Sequence, residues 1–192
     1  MIKIIKILSP QTLYQTAIKF ATAKHLAKNQ KVPGTDLPYV VHLSNVAMEV
    51  LMANANSENF NVALAIQAAL LHDTIEDTDT TFAEIEQNFG TEVANAVLAL
   101  TKNQALPKEE QMMDSLMRIK KLPVEVWAVK LADRITNLQT PPSHWDNEKM
   151  RKYQAEAQVI LDELETGNSF LANRLKEKIQ EYEKYIGNEI SL

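Results

Sequence analysis

The spacing of apolar residues along the chain predicts α-helices over almost its whole length. Between Ser9 and Ala27 apolar side chains recur at helical intervals, and Ser9 followed by Pro10 is a favourable N-cap and first turn. Further segments with the helical period cover residues 38–54, 60–75, 92–100, 107–121, 123–138, 147–165 and 169–186. Only the N-terminal run IKIIKIL is β-branched enough to compete as a strand. We therefore predict an all-α fold, a helical bundle of about eight or nine helices.

The third predicted helix is apolar on nearly every face. It runs from Phe60 to about Ile75 as one continuous element, and its many alanines and leucines predict deep burial. A short helix follows it, with Thr81 and Glu84 as a capping box and Gly90 as the stop. A polar C-terminal end on such a buried helix requires a functional or structural reason.

Length and composition are those of an ordinary globular protein. The chain has 192 residues, 45% of them hydrophobic and 23% charged, with only four glycines and seven prolines. We expect a single domain over residues 1–192, since the irregular loop at 140–147 is flanked by helices of the same apolar period. The chain has no cysteine, which excludes disulfides and thiolate metal sites, so a metal must bind through nitrogen and oxygen.

The charge balance narrows the classes of partner. A net charge of −5 argues against a nucleic-acid-binding surface, while a small anionic ligand remains compatible with a bound metal and a few local cations. The N-terminal apolar run is too short to span a membrane, and no small-residue cleavage site follows it. We expect a cytoplasmic protein with no membrane partner; the sequence leaves homo-oligomer formation open.

The run LLHDTIEDT at 70–78 places polar residues directly after a buried apolar stretch. Burying a neutral polar group without a partner costs roughly 2–7 kcal/mol, and burying a charge costs more, so His72 and Asp73 require partners or a cation. His72 and Glu76 are four residues apart, as are Asp73 and Asp77, so all four project to one side if the helix is continuous.

Two more polar residues stand in apolar surroundings on other predicted helices, His42 in PYVVHLSNVA and Asp133 in AVKLADRITNL. Taken singly, His42 fits a histidine of the core as well as it fits a metal ligand, and we expect His25 and His144 to be such core histidines. Asp133 taken singly fits an ion pair with its neighbour Arg134. Together with the 70–78 run, they make a set of two imidazoles and two carboxylates. That set favours a divalent metal, manganese ahead of iron or zinc.

These residues resemble a known signature. His42, the His72–Asp73 doublet and Asp133 resemble the H…HD…D pattern of HD-domain phosphohydrolases. The surrounding segments are similar, in the same order, to the hydrolase domain of the RelA/SpoT alarmone enzymes, including the small stand-alone alarmone hydrolases; they are PYVVHLSNVA at 38–47, ALLHDTIEDT at 69–78 and VKLADRITNL at 129–138. The similarity extends over roughly residues 10 to 165.

The resemblance implies a function and a role for each matching residue. It implies metal-dependent hydrolysis of the 3′-pyrophosphate of a purine alarmone, and no synthesis, because the chain has no room for a synthetase domain. Glu76 and Asp77 match a pair that positions or deprotonates the attacking water. The implied ligands of the Mn²⁺ ion are His42, His72, Asp73 and Asp133, and the implied substrate contacts are Lys31, Asn137, Thr140 and Lys149. Asn137 and Thr140 are expected on a continuation of the helix that carries Asp133.

One loop departs from the family pattern. The family usually has an Arg-Lys pair shortly before its PY…H segment, with the arginine stacked on guanine, whereas this chain has Gln-Lys-Val-Pro-Gly at 30–34. Lys31 keeps the basic character, but neither an amide nor a valine can replace a planar cation on a base. Both (p)ppGpp and (p)ppApp therefore remain candidate substrates.

Two other functions are compatible with the same metal residues: an HD-family 5′-nucleotidase acting on (deoxy)nucleoside monophosphates, and a non-catalytic nucleotide-binding HD module. The Glu76–Asp77 pair and the Asn137/Thr140 pair favour the pyrophosphohydrolase over the nucleotidase. A complete set of metal-binding residues argues against a degenerate module.

Overall fold

The computed structural model describes residues 8–187, and the N-terminal run considered as a strand lies outside this part except for its last residue. Within it the chain is helical, and its one β pairing is an isolated bridge between Lys31 and Pro38. The helices are α1 (Pro10–Ala27), α2 (Val40–Ala55), α3 (Val62–Leu71), α4 (Thr74–Asp77), α5 (Phe82–Phe89), α6 (Thr91–Leu100), α7 (Lys108–Ile119), α8 (Val124–Asn137), α9 (Asn147–Leu164) and α10 (Ser169–Tyr182), with 3₁₀ turns at Glu165–Gly167 and Glu183–Tyr185. The all-α prediction is confirmed.

Local capping explains where two of these helices begin. In α1 the Ser9 side chain accepts a hydrogen bond from the Thr12 backbone N–H at 3.3 Å, as predicted. In α5 the Thr81 side chain accepts from the Glu84 N–H at 3.2 Å. The other half of the predicted capping box is absent from the described hydrogen bonds, because the Glu84 carboxylate instead forms an ion pair with Lys24 at 2.6 Å.

Helix α3 is the centre of the core. Every residue from Leu64 to Leu71 is buried, which confirms the predicted deep burial, and α3 contacts α1, α2, α6 and α8. Helices α2 and α8 also pack on each other, and α9 and α10 cover α8. Since α2, α3 and α8 are mutually packed, polar residues at corresponding levels of the three helices must lie close together.

The expectation of one continuous helix through Ile75 is wrong. Helix α3 ends at Leu71, His72 and Asp73 form a turn, and the single-turn α4 follows. Two terminal carbonyls of α3 accept hydrogen bonds from side chains: Leu71 from the Thr74 hydroxyl at 2.6 Å, and Ala69 from the His72 ring at 2.8 Å. These bonds satisfy two carbonyls at the end of a buried helix. They divide the predicted third helix into α3 and α4, so the described residues form ten α-helices rather than the expected eight or nine.

None of the helices in residues 8–187 is both long enough and apolar enough to cross a membrane.

The burial of α3 predicts the effect of shortening one of its side chains. Leu70 is fully buried, so Leu70→Ala should lower the free energy of unfolding by about 2–5 kcal/mol through lost apolar contact and a residual cavity. Leu26 on α1 is 59% exposed, and Leu26→Ala should cost about 0.5 kcal/mol or less. Urea denaturation monitored by circular dichroism measures both. Equal losses for the two variants would contradict the assigned core.

Candidate metal centre and active site

The central three helices bring two histidines and an aspartate together. His42 lies in the first turn of α2, His72 directly follows α3, and Asp133 lies in α8; all three are buried. The two Nε2 atoms are 3.4 Å apart, and the Asp133 Oδ1 atom lies 3.4 Å from Nε2 of His42 and 3.6 Å from Nε2 of His72. One potential ligand atom from each residue lies within 4.8 Å of the other two.

Asp73 adds a second carboxylate to this cluster. Its Oδ2 atom is 2.9 Å from Nε2 of His72 and 3.8 Å from Nε2 of His42. The Tyr39 hydroxyl donates a hydrogen bond to the same Oδ2 atom and so fixes the carboxylate from the side of α2. The structure thus places together all four residues that the resemblance implies as metal ligands.

The hydrogen bonds behind the two imidazoles direct their lone pairs into the cluster. Nδ1 of His72 lies 2.8 Å from the Ala69 carbonyl oxygen, which can only accept, so Nδ1 carries the hydrogen. Nδ1 of His42 lies 3.5 Å from the Thr136 hydroxyl, which itself donates to the Asp133 carbonyl at 2.9 Å. When the two rings are neutral, both Nε2 atoms therefore face each other and the carboxylates as acceptors. Such a buried set of acceptors fits a divalent cation.

The ionisation of the cluster shows the same preference for positive charge. Burial lowers the pKa of His72, but the Asp73 and Asp133 carboxylates outweigh burial and hold that pKa well above its usual value. Burial raises the pKa of both carboxyl groups, yet His72 beside Asp73, and Lys130 and the histidines beside Asp133, bring the two pKa values below their usual range. Both carboxylates are therefore ionised and available to a metal.

Glu76 is held by a residue that the sequence analysis did not identify. Its Oε2 atom accepts a hydrogen bond from the backbone N–H of Lys102, and its Oε1 atom accepts one from Nζ of the same lysine, both at 2.9 Å. Burial lowers the pKa of Lys102, but the Glu76 carboxylate outweighs burial and raises it, so the ammonium group stays charged. Glu76 is consequently fixed by two bonds to the segment that follows α6.

Asp77 is held by a different element. Its Oδ2 atom accepts a hydrogen bond at 2.8 Å from the side-chain amide of Gln30, in the loop between α1 and α2. The predicted basis for grouping Glu76 and Asp77 with the doublet was the spacing of a continuous helix, and that basis is wrong because α3 ends at Leu71. The positions of Glu76 and Asp77 are instead set by the turn at residues 72–73 and by the short helix α4.

The implied nucleotide contacts have partners of their own. The Asn137 side-chain amide donates to Oδ1 of Asp133 at 2.6 Å, the oxygen that faces both histidines. Thr140 does not continue α8, which ends at Asn137, so the expected continuous helix is wrong; the Thr140 hydroxyl lies 3.1 Å from that of Tyr185. Asn137 thus orients a candidate metal ligand directly, whereas Thr140 belongs to the loop beyond it.

The two basic residues implied as substrate contacts also have local partners. Nζ of Lys31 forms an ion pair with Asp36 at 2.7 Å, and Nζ of Lys149 lies 4.6 Å from the centre of the Trp145 ring. The two lysines and their partners, Asp36 and Trp145, are all at the surface or partly exposed. Neither contact involves a residue of the buried cluster.

Sequence analysis missed Tyr39, Lys102 and Gln30. Tyr39 had a usable signal, because it precedes His42 by three residues and so lies about one helical turn from it. Lys102 and Gln30 are loop residues, for which apolar periodicity carries no information.

Two further histidines were expected in the core. His25 is buried, but only its Nδ1 atom has a partner, Gln30; its Nε2 atom has none among the described residues. His144, also expected in the core, is an exposed loop residue.

The Tyr39 hydroxyl provides a test of the metal site. Groups that hydrogen-bond to a metal ligand typically contribute 10–100-fold to metal affinity, so Tyr39→Phe should weaken Mn²⁺ binding by about that factor. Tyr14→Phe is the matched control, because the Tyr14 hydroxyl lies 3.2 Å from that of Ser44, outside the cluster. Isothermal titration calorimetry with Mn²⁺ measures both variants. Unchanged affinity in Tyr39→Phe would show that Asp73 does not need this bond.

Comparison with known proteins identifies the same family that the sequence resembles. A family model described as an HD domain matches residues 17–168, a range that includes the whole buried cluster. The chain is 33% identical over 171 residues to the guanosine-3′,5′-bis(diphosphate) 3′-pyrophosphohydrolase MESH1 of Xenopus tropicalis, covering 87% of this chain and 93% of the relative. It is 35% identical over 165 residues to the human protein of the same name, covering 83% of this chain and 89% of the relative.

A solved structure supports the assignment at the level of the fold. It is described as a metazoan ortholog of SpoT that hydrolyses ppGpp and plays a role in starvation responses. It matches this chain with a TM-score of 0.77 and 28% identity, over 91% of this chain and 98% of that one. The resemblance to the small alarmone hydrolases is thereby confirmed. The chain belongs to the HD-domain family and, within it, to the MESH1-type 3′-pyrophosphohydrolases related to SpoT.

Proposed function

We propose that this protein is a manganese-dependent hydrolase that removes the 3′-pyrophosphate group from purine alarmone nucleotides, (p)ppGpp or (p)ppApp. The observation that carries the proposal is the convergence of two imidazoles and two carboxylates at the end of α3, directly before the short helix α4 that contains Glu76 and Asp77. It is supported by relatives named guanosine-3′,5′-bis(diphosphate) 3′-pyrophosphohydrolases, of which the chain covers 89–93%.

The metal is held, in this proposal, by the four clustered side chains His42, His72, Asp73 and Asp133. The two carboxylate donors favour manganese over zinc, which prefers softer ligands, and the two imidazoles favour it over magnesium, which takes mainly oxygen. When bound, such an ion supplies positive charge against the pyrophosphate oxygens and lowers the pKa of a coordinated water. Asn137 and Tyr39 keep the two carboxylates in the orientation that this binding requires.

Glu76 and Asp77 orient and deprotonate the attacking water. Its oxygen forms a bond to the phosphorus attached to the ribose 3′ oxygen, the bond between that phosphorus and the 3′ oxygen breaks, and one water proton passes to a carboxylate of the pair. The 3′ oxygen takes up a proton and leaves as a hydroxyl. The products are free pyrophosphate and a nucleotide that keeps its 5′ phosphates.

Substrate binding is assigned to Lys31, Asn137, Thr140 and Lys149, with help from the cations already at the site. Lys102 and Lys130 lie beside Glu76 and Asp133, and each supplies positive charge within reach of an anionic substrate. The loop between α1 and α2 offers no arginine for stacking on guanine, so the proposal extends to both purines.

The proposal predicts a defined set of products. Purified protein with Mn²⁺ should release pyrophosphate from ppGpp or pppApp and leave deoxynucleoside monophosphates intact. Ion-exchange chromatography of each reaction identifies the products, with Mn²⁺, Zn²⁺ and Mg²⁺ compared at equal concentration. Absence of turnover for both alarmones would contradict the proposal, and release of inorganic phosphate from monophosphates would favour the nucleotidase. If turnover were highest with zinc, only the choice of manganese would be contradicted, and the proposed reaction would stand.

The two kinds of carboxylate should respond differently to removal. Asp73→Ala removes a ligand and should abolish both Mn²⁺ occupancy and turnover. Glu76→Ala should keep the metal and lower kcat by about 10²-fold, because the attacking water loses a group that orients it. Metal content by mass spectrometry and initial rates give the two readouts.

Asp79→Ala is the control for these variants, because Asp79 is an exposed carboxylate of the same segment and pairs with Lys28 at 2.7 Å. It should change neither metal content nor rate. A comparable loss of metal in Asp73→Ala and Glu76→Ala would show that the assigned roles are wrong.

A further inference from the structure

We propose that Gln30, itself held by His25, is a positioning residue that aims Asp77 at the attacking water. The inference rests on the proposed function and adds to it a division of labour within the Glu76–Asp77 pair.

Both ends of the Gln30 amide are engaged. Nε2 donates to Oδ2 of Asp77 at 2.8 Å, and Oε1 lies 2.6 Å from Nδ1 of His25. The opposite orientation of the amide would set its oxygen against a carboxylate, so Asp77 fixes which end faces it. Oε1 then requires a donor, and His25 must carry its hydrogen on Nδ1.

The backbone of Gln30 is anchored as firmly as its side chain. Its N–H donates to the carbonyl of His25 at 3.1 Å, and its own carbonyl accepts from the N–H of Tyr39 at 3.3 Å. Gln30 therefore has few ways to move relative to α1 and the start of α2. Because both its backbone and its side chain are held, Gln30 is suited to fixing the direction of the Asp77 carboxylate.

His25 links this arrangement to the metal cluster. It is buried in α1, and its ring packs against that of Tyr39 at a centroid distance of 4.8 Å. Tyr39 donates a hydrogen bond to Asp73, one of the proposed metal ligands. His25 therefore contacts both Tyr39, which holds Asp73, and Gln30, which holds Asp77. Burial lowers the pKa of His25, which keeps the ring neutral and leaves Nδ1–H as its donor to Gln30.

The partner of Asp77 also determines how well it accepts a proton. Burial and the nearby Asp73 charge raise the pKa of Asp77, and the neutral amide opposes this rise only in part. Glu76 instead accepts hydrogen bonds from the ammonium group and the backbone N–H of Lys102, and these two bonds fix its position. Asp77 is therefore the proton acceptor of the pair, and Glu76 is the member that binds and orients the water.

The first test removes the hydrogen bonds of Gln30 while keeping its shape. In Gln30→Met, kcat should fall by about 10- to 100-fold, because a misdirected acceptor lowers the rate by such factors. KM and Mn²⁺ affinity should stay within about twofold, since neither substrate nor metal contacts are removed. The fall should be equal for ppGpp and ppApp. Gln30→Glu keeps the acceptor for His25 but places a second negative charge against Asp77, and its kcat should fall at least as far.

The second test concerns His25. His25→Leu should lower kcat like Gln30→Met, and the double variant should be no worse than either single one, because both act through the same bond. His25→Asn places an amide nitrogen near the position of Nδ1 and should recover part of the rate, which a merely structural role of the ring would not allow. Lys28→Met is the matched control, because the Lys28–Asp79 ion pair joins the end of α1 to the same segment without reaching Asp77.

The outcomes separate the two proposals. A wild-type protein without turnover overturns the proposed function and this inference together. An active wild-type protein with unchanged kcat in Gln30→Met overturns the inference alone. A rise in KM for only one of the two purines would also overturn it, because Gln30 would then contact the base. A large loss of kcat in Lys28→Met would show that any link between these elements has the same effect.

Discussion

The site depends on the burial of charge at the end of an apolar helix. Helix α3 can be buried on every side only if its terminal carbonyls and the polar residues that follow have partners. The side chains of His72 and Thr74 satisfy two of those carbonyls, which ends the helix and turns the His72–Asp73 doublet towards α2 and α8. The mutual packing of α2, α3 and α8 then brings His42 and Asp133 to the doublet.

Such a cluster is costly without a cation. Two ionised carboxylates share a small volume with two imidazoles, and without a metal their repulsion is offset only by a proton on His72 and by local cations such as Lys130. A divalent ion bound here would satisfy all four groups at once, so the arrangement that is costly in the metal-free fold would favour metal binding. The surrounding bonds from Tyr39 and Asn137 limit how far the carboxylates can rotate to relieve the repulsion.

The helices, and the polar residues that the fold brings together, could be predicted from the sequence because both follow from strong local patterns. The apolar period locates α8 to within a residue of its ends, and a histidine or aspartate inside such a frame stands out from its neighbours. The break after Leu71 was not predicted, since the residues there have acceptable helix propensities and the competing bonds are made by side chains.

The residues that hold Glu76 and Asp77 could not be predicted from the sequence. Lys102 and Gln30 lie 26 and 47 residues from their partners Glu76 and Asp77, in loops whose conformation depends on tertiary packing. No spacing rule relates such residues, so only the folded chain shows that they meet.

The two carboxylates of the pair are adjacent in sequence and differ mainly in their partners. A carboxylate bonded by an ammonium group and a backbone N–H, as Glu76 is, has a well-defined position. A carboxylate bonded by one amide, as Asp77 is, keeps its basicity and needs help to keep its direction. The loop between α1 and α2 has no arginine, and Gln30 in this loop gives Asp77 a neutral donor instead of a cation. Under the proposed mechanism, Gln30 directs Asp77 without neutralising it, so this loop would act on proton transfer.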